Sequence, residues 1–376
     1  MDLLIGFVEG FLKPRNEEDA FDRLNYQVTP FLFILFSLVN ISKVYIGKAI
    51  NCFTKAEFRG GWVEYAHDYC LIENTYYLRT NESIPIEQEL RGEKQLNYYQ
   101  WVPFILVLQA CSFYIPHLMW RSFNWITGYQ IRAVTSAAKE SYTQSFEDNT
   151  AVVQKISRSL YYASQLKHRT LRILNDQIFV TVLYMAMKFC YLGLIVFHLW
   201  VFKLFIGSLD FAFGIVQQPG EWEQTGFFPR VTVCDFTILR YGQPMNYTLE
   251  CVLPLNMFNE KIFVFFYFWL VLLFGTTVFS ILLWVQRLIN RRAFFQRLLD
   301  LYQKNDRSEK STPDGEVLLL DSLKRSPDGL PAIDFGYDLR VVLGLLQDHS
   351  GLLFSANVFH EMVNLKLADQ RLSTGQ

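Results

Sequence analysis

Four long blocks of apolar residues, separated by polar segments, dominate the pattern along the chain. The blocks cover residues 28–47, 101–120, 178–207 and 262–285. Each block reaches the roughly 20 mostly apolar residues that a helix needs to cross the hydrocarbon core of a bilayer. The pattern predicts an all-α membrane protein with four transmembrane helices. The segments between and around them are residues 1–27, 48–100, 121–177, 208–261 and 286–376.

Lysine and arginine residues predict which side of the membrane each segment faces. Segment 121–177 is rich in them, and Arg287, Arg291 and Arg292 follow the fourth block directly. Because cytosolic segments carry an excess of Lys and Arg, 121–177 and 286–376 are expected in the cytosol, as a mostly helical domain. Segments 48–100 and 208–261 carry more acidic than basic residues and are expected outside. Both termini are then cytosolic, although the N-terminal segment is itself acidic.

The composition supports a chain embedded in lipid. Of its 376 residues, 51% are hydrophobic, 16% are aromatic and only 19% are charged, and the formal net charge is −1. Such a balance gives no support for nucleic-acid binding. The histidines are scattered, and the sequence contains neither a phosphate-binding glycine loop nor a nucleophile motif. No enzymatic activity, cofactor or metal site is expected.

The cysteines test the predicted topology independently. Cys111 and Cys190 lie inside apolar blocks, whereas the other four divide evenly between the two outer segments: Cys52, Cys70, Cys234 and Cys251. An even number of cysteines in an oxidising compartment predicts two disulfides. Four cysteines allow three pairings, and the spacing leaves all three open. The same outer segments hold two glycosylation sequons, at Asn81 and Asn246.

The first residues, MDLLIGFVEGFLK, have their apolar positions at helical spacing, with Asp2, Gly6 and Glu9 on the opposite face. One interpretation is an amphipathic helix that lies on the inner membrane surface. Its acidic polar face counts against this, because an anionic leaflet would repel it. Among the lysines inside the blocks, Lys188 is expected to pair within the helix bundle, and Lys43 is expected to extend its ammonium group to the interface.

An aromatic stretch, NYYQWVPFIL, opens the second block at residues 97–106. Tyr98, Tyr99 and Trp101 lie at the depth where amphipathic rings prefer the membrane interface. Pro103 falls in the first helical turn, where its missing N–H is tolerated. The stretch is therefore predicted to be an interfacial anchor.

The same stretch carries a family signature. YYQWV, residues 98–102, follows directly on an outer segment with two cysteines, and the second outer segment has two more. In this position the motif closely resembles that of the innexins, the gap-junction channel proteins of invertebrates. The resemblance extends from about residue 20 to the end of the fourth block, and it is looser in the C-terminal tail.

The resemblance implies a multi-pass protein of the plasma membrane and the gap junction, surrounded by membrane lipids. Its subunits would form a ring, an octamer or alternatively a hexamer, from this chain alone or together with other innexins. Two rings in adjacent cells would dock and pass ions and small metabolites. The implied disulfides are Cys52–Cys251 and Cys70–Cys234. The N-terminal helix would fold into the pore mouth, where Asp2, Gly6 and Glu9 line the water path, and Lys43 lies on a span that contributes to the pore.

Two other functions stay open. The first is an undocked, pannexin-type hemichannel that releases small solutes, since a glycan at Asn246, near Cys251, would obstruct docking if it projected from the outer tip. The second is a junctional adhesion protein without an open pore.

Overall fold

The computed structural model describes residues 18–73, 75–78, 84–85, 91–92, 94–96, 98–125, 128–141, 146–165, 178–206, 228–309 and 335–374. Within these ranges the protein is mostly helical, as predicted, and four helices are long and apolar enough to cross a membrane. The predicted pore-lining residues Asp2, Gly6 and Glu9 and the sequon at Asn81 lie outside the described residues.

The helices are α1 Ala20–Tyr45, α2 Gly60–Ile72, α3 Val102–Asn124, α4 Ile131–Ser141, α5 Phe146–Gln165, α6 Phe179–Ile206, α7 Pro254–Ile289, α8 Arg291–Glu309, α9 Tyr337–Ser350 and α10 Leu352–Thr374. The strands are β1 Asn51–Cys52, β2 Thr75–Tyr76, β3 Gln95–Leu96, β4 Val231–Arg240 and β5 Gln243–Val252. The candidate membrane spans are α1, α3, α6 and α7.

The five strands form one small antiparallel sheet that the sequence pattern does not predict. Their order is β1-β5-β4-β2-β3, and β4 and β5 form a long hairpin. Only Tyr241 and Gly242 connect the two strands, and both have positive φ angles, 53° and 80°. Such a two-residue turn matches the twist of the strands, and a glycine adopts its second position without steric cost.

The chain divides into two compact units. The disulfide unit comprises residues Val28–Tyr114 and Gly193–Gly275. Its core contains all four cysteines of the outer segments, together with rings such as Phe58, Tyr99 and Phe236. The helix α2 and the hairpin are thus packed around the sulfur atoms.

The terminal unit comprises Met1–Gln27, Ile115–Leu192 and Thr276–Gln376. Here α10 packs against α5 and α8, and α9 packs against α4 and α10. The residues from Leu339 to Leu346 of α9 are all buried, so this tail helix is an integral part of the unit.

Close packing between α9 and α7 depends on Gly344. A Cβ atom built there would lie 3.0 Å from Nη1 of Arg340 and 3.1 Å from the ring of Trp284. Arg340 has little room to move, since its guanidinium carbon lies 3.5 Å from the centre of the Phe294 ring and its Nε donates to the Arg287 carbonyl. Burial lowers the pKa of Arg340 to about 10.

We expect Gly344→Ala to lower the free energy of unfolding by about 1–3 kcal/mol, because overpacking forces neighbouring groups out of their preferred positions. Thermal unfolding of the purified protein in detergent measures the effect. Gly275→Ala in α7 is the matched control, because a Cβ atom there meets nothing within 4 Å in its own subunit. Equal melting temperatures for the two variants would contradict the packing account.

Candidate functional site: the disulfide core and the buried charges

Two disulfides join the outer segments to each other. Cys52 on β1 is bonded to Cys251, which is its direct partner on β5. Cys70 on α2 is bonded to Cys234 on β4. These are the pairs that the family resemblance implies. Because the bonded residues are 199 and 164 positions apart, each bond fixes the segment before α3 to the segment before α7.

The two disulfides lie side by side. The Sγ atoms of Cys52, Cys70 and Cys251 are all within 4.8 Å of one another. Metal-binding cysteines are free thiolates, whereas these sulfurs are already bonded in pairs. The group is therefore a compact double cross-link at the centre of the core.

Aromatic rings surround this cross-link. Phe58 meets Tyr247 edge to face at 5.2 Å, and Phe236 stacks on Tyr247 at 5.5 Å between ring centres. Tyr69 of α2 lies 5.9 Å from Phe236. Aromatic pairs at these distances add to the stability from buried area alone. One face of the hairpin is thus held against α2.

The opposite face of the hairpin is held by Asp235. Side chains alternate along a strand, so Asp235 points away from the face of Cys234. Its carboxylate accepts hydrogen bonds from Arg91 at 2.7 Å, Tyr76 at 3.1 Å and Thr248 at 2.6 Å. Burial, together with Asp235, raises the pKa of Tyr76 to about 12. Residues far along the first outer segment are thereby tied to the second.

The tip of the hairpin is exposed and carries large apolar side chains. Tyr241 is 93% exposed and Leu239 76%. Asn246 is also exposed, and its Oδ1 accepts a hydrogen bond from Thr237 on the paired strand at 2.8 Å. By strand alternation Asn246 lies on the same face as Asp235, away from the disulfides. In the part of the chain that is described, β1 and β2 pair only near the base of the hairpin.

The residues of the predicted aromatic anchor lie in two different environments. Tyr99 is fully buried and its hydroxyl donates to the Leu71 carbonyl at 3.1 Å, and Tyr98 packs against the same core. Burial raises the pKa of Tyr99 to about 12. Trp101 is 62% exposed, as a ring at the membrane interface would be. Pro103 is buried, and its carbonyl accepts from Ser37 of α1 at 2.9 Å.

Lys43 lies near the end of α1 with its side chain exposed, and its Nζ is 4.7 Å from the centre of the Phe258 ring. Both predicted roles, lining the pore and extending to the interface, require an exposed ammonium group.

A buried acid–lysine cluster lies in the terminal unit, formed by Asp19, Asp22, Lys188, Ser280 and Trp284. The Lys188 side chain is fully buried, and its Nζ donates to both carboxylates and to the Ser280 hydroxyl, each at 2.8 Å. Trp284 donates to Asp19 at 2.7 Å. The prediction that Lys188 pairs within the bundle is confirmed. Its acidic partners were missed, although a lysine in the middle of a span and two acids three residues apart are a recognisable signal.

A carboxylate from the tail caps the third span. Asp338 of α9 accepts hydrogen bonds from the backbone N–H and the hydroxyl of Thr181, both at 2.9 Å. The first N–H groups of a helix lack partners inside it, so this contact satisfies the start of α6. Burial raises the pKa of Asp338, although these hydrogen bonds act to lower it. Thr181 and Asp338 are 157 residues apart, and no local sequence signal could pair them.

Comparison with known proteins identifies relatives along nearly the whole chain. The innexin family model matches residues 18–364. Innexin unc-9 of Caenorhabditis elegans is 35% identical over 286 residues, which cover 72% of this chain and 74% of the relative. Innexin-3 of the same organism is 35% identical over 317 residues, 80% of this chain and 75% of the relative. Innexin eat-5 is 29% identical over 380 residues, 96% and 90% of the two chains.

The family match over residues 18–364 includes the four spans and both cysteine pairs. The chain belongs to the innexin family.

Proposed function

We propose that this chain is one subunit of a large-pore gap-junction channel that passes ions and small metabolites between adjacent cells. The observation that carries the proposal is the innexin match over residues 18–364, which includes four membrane-spanning helices. The protein is a multi-pass protein of the plasma membrane. No enzymatic activity, cofactor or nucleic-acid partner is proposed.

The conducting unit is a ring of subunits. Four helices have too little circumference to enclose a wide water path, so conduction requires several copies around a symmetry axis. We expect an octamer, with a hexamer as the alternative, built from this chain alone or with other innexins. Particle symmetry in electron micrographs of the purified channel distinguishes the two.

Docking between cells would use the outer segments. Disulfides persist outside the reducing cytosol, which supports an extracellular disulfide unit. Its two cross-links and the contacts of Asp235 fix both segments before a partner arrives, so docking would not have to order them. The exposed apolar tip around Tyr241 is the kind of surface that contacts another protein.

One observation favours an undocked hemichannel as the second candidate. Asn246 of the sequon is exposed close to the hairpin tip. A glycan at this position would project beside Leu239 and Tyr241 and keep an opposing ring away. The glycosylation of Asn246, like that of Asn81, is a proposal.

Electrical recording separates the candidate functions. Current between two paired cells that both express the chain supports the docked channel. Current across the membrane of single cells, with none between pairs, would support the hemichannel. Contact between cells without either current would leave the third candidate, an adhesion protein.

We propose that the N-terminal residues Asp2 and Glu9 line the pore and favour cations, since rings of carboxylates select for cations. The double change Asp2→Asn with Glu9→Gln should then shift the reversal potential in a salt gradient toward the anion equilibrium potential. Asp2→Glu with Glu9→Asp, which keeps both negative charges, is the control. An unchanged reversal potential after neutralising both acids would exclude this pore lining.

A further inference from the structure

The root of the N-terminal segment is buried among side chains from four other elements. Glu18 is 1% exposed, and Asp19 and Asp22 are buried as well. The acid–lysine cluster accounts for Asp19 and Asp22, which are held by α6 and α7. Glu18 has different partners, and those that the structure describes include His117 on α3 and His349 on α9.

Glu18 is attached at two points. Its Oε1 lies 2.7 Å from Nδ1 of His117, and both side chains are fully buried. Its backbone carbonyl lies 3.0 Å from Nε2 of His349. A carbonyl oxygen can only accept, so His349 donates through Nε2. The His117 ring also stacks on Tyr26 at 4.2 Å, which fixes the plane of the imidazole.

The hydrogen bond from His349 needs only a neutral imidazole, because an Nε2–H group donates in that form. Burial lowers the pKa of His349, while its hydrogen bond to Glu18 acts in the opposite direction. The neighbouring charges of Arg23, Asp348 and Lys139 contribute smaller effects of mixed sign. The contact therefore does not depend on a charged imidazole.

Residues 1–17 join the rest of the chain at Glu18, so the position of Glu18 determines where that segment starts. We propose that Glu18 is a positioning residue that, through His117 and His349, couples the tail helix α9 to the placement of the N-terminal segment in the pore. This inference rests on the proposed function, in which Asp2 and Glu9 line the water path. It adds that the C-terminal tail helps to set the selectivity of the channel.

A test uses the full-length channel in four forms: the parent, Asp2→Asn with Glu9→Gln, Glu18→Ala, and the combination of all three changes. The reversal potential in a salt gradient is measured for each. In the parent background, neutralising Asp2 and Glu9 should shift the reversal potential. In the Glu18→Ala background that shift should be lost, because the segment no longer stands in the same place. The same shift in both backgrounds would overturn the proposal.

Conservative and second-site variants separate positioning from folding. Glu18→Gln keeps a polar side chain of the same length beside His117, and it should retain the shift. His349→Leu removes the group that donates to the Glu18 carbonyl, and it should also reduce the shift. This variant keeps the proposal testable if Glu18→Ala yields no current. The control is His360→Gln, in a tail histidine that is also buried but stacks on Tyr302; it should retain the shift. Loss of the shift in this control too would overturn the specific link.

The outcomes also separate this inference from the proposed function. If the parent conducts and responds to neutralisation of Asp2 and Glu9, but Glu18 and His349 variants respond equally, only the inference fails. If the parent conducts without any response, the pore lining and the inference fail together. If the parent does not conduct at all, the channel function itself is contradicted.

Discussion

Lys188→Met is expected to abolish the assembled channel. The substitution removes the ammonium group that contacts Asp19, Asp22 and Ser280 at 2.8 Å. Two carboxylates are then left buried without that cation. Breaking a buried ion pair by removing one partner typically costs about 3–5 kcal/mol, because the remaining charge stays out of water. After the membranes are solubilised in detergent, the size-exclusion profile of the variant should lack the oligomer peak of the parent channel.

Lys203→Met is the matched control, since Lys203 lies on the same helix but is exposed. It should assemble like the parent. Adding Asp19→Asn and Asp22→Asn to Lys188→Met removes the unpaired charges, and it should recover part of the oligomer. A normal oligomer peak for Lys188→Met alone would show that the acid–lysine cluster is not needed for the fold.

Loss of either disulfide should abolish junctional current. Each bond ties the two outer segments together at the centre of their shared core. Removing a native disulfide from a small extracellular domain typically costs about 2–5 kcal/mol. The single variants Cys70→Ser and Cys251→Ser, each expressed in both cells of a pair, should therefore give no current between the cells.

The free cysteines provide the control. Cys111 and Cys190 are not bonded, so Cys111→Ser and Cys190→Ser should conduct normally.

A single change such as Cys234→Ser also frees Cys70, whose sulfur lies within 4.8 Å of the Cys52 and Cys251 sulfurs. A thiolate there can attack the second disulfide, so single variants should be at least as impaired as the pair Cys70→Ser with Cys234→Ser. Junctional current in all the single variants would contradict the cross-linked docking surface.

Apolar patterning predicted the four spans but not their full length. Helix α7 begins at Pro254, whereas the uncharged apolar block begins at residue 262. The extra turns carry polar residues that the hydropathy pattern excludes. Asn256, Asn259 and Glu260 are buried there. Asn256 donates to the Pro229 carbonyl at 2.8 Å, and Asn259 accepts from Asn40 at 2.6 Å. Only tertiary contacts reveal that these residues are helical.

The outer segments were predictable in part. Cysteine number and position indicated cross-linking, and the family resemblance implied the pairs that the structure shows. The hairpin was not predicted, because its turn, Arg240-Tyr241-Gly242-Gln243, lacks the Asn-Gly or Asp-Gly pair that most clearly marks such turns. The acidic N-terminal residues are an exception to the rule that cytosolic segments carry an excess of Lys and Arg. Asp19 and Asp22 are explained by their contact with Lys188, which is remote in sequence.

The central claim is that this chain forms a pore that connects two cells. The most direct test is dual voltage-clamp recording from pairs of cells that lack other gap-junction proteins. We expect current between the cells when both express the chain, and none when only one cell of the pair does. Absence of junctional current in pairs that both display the protein at their contact would contradict the claim.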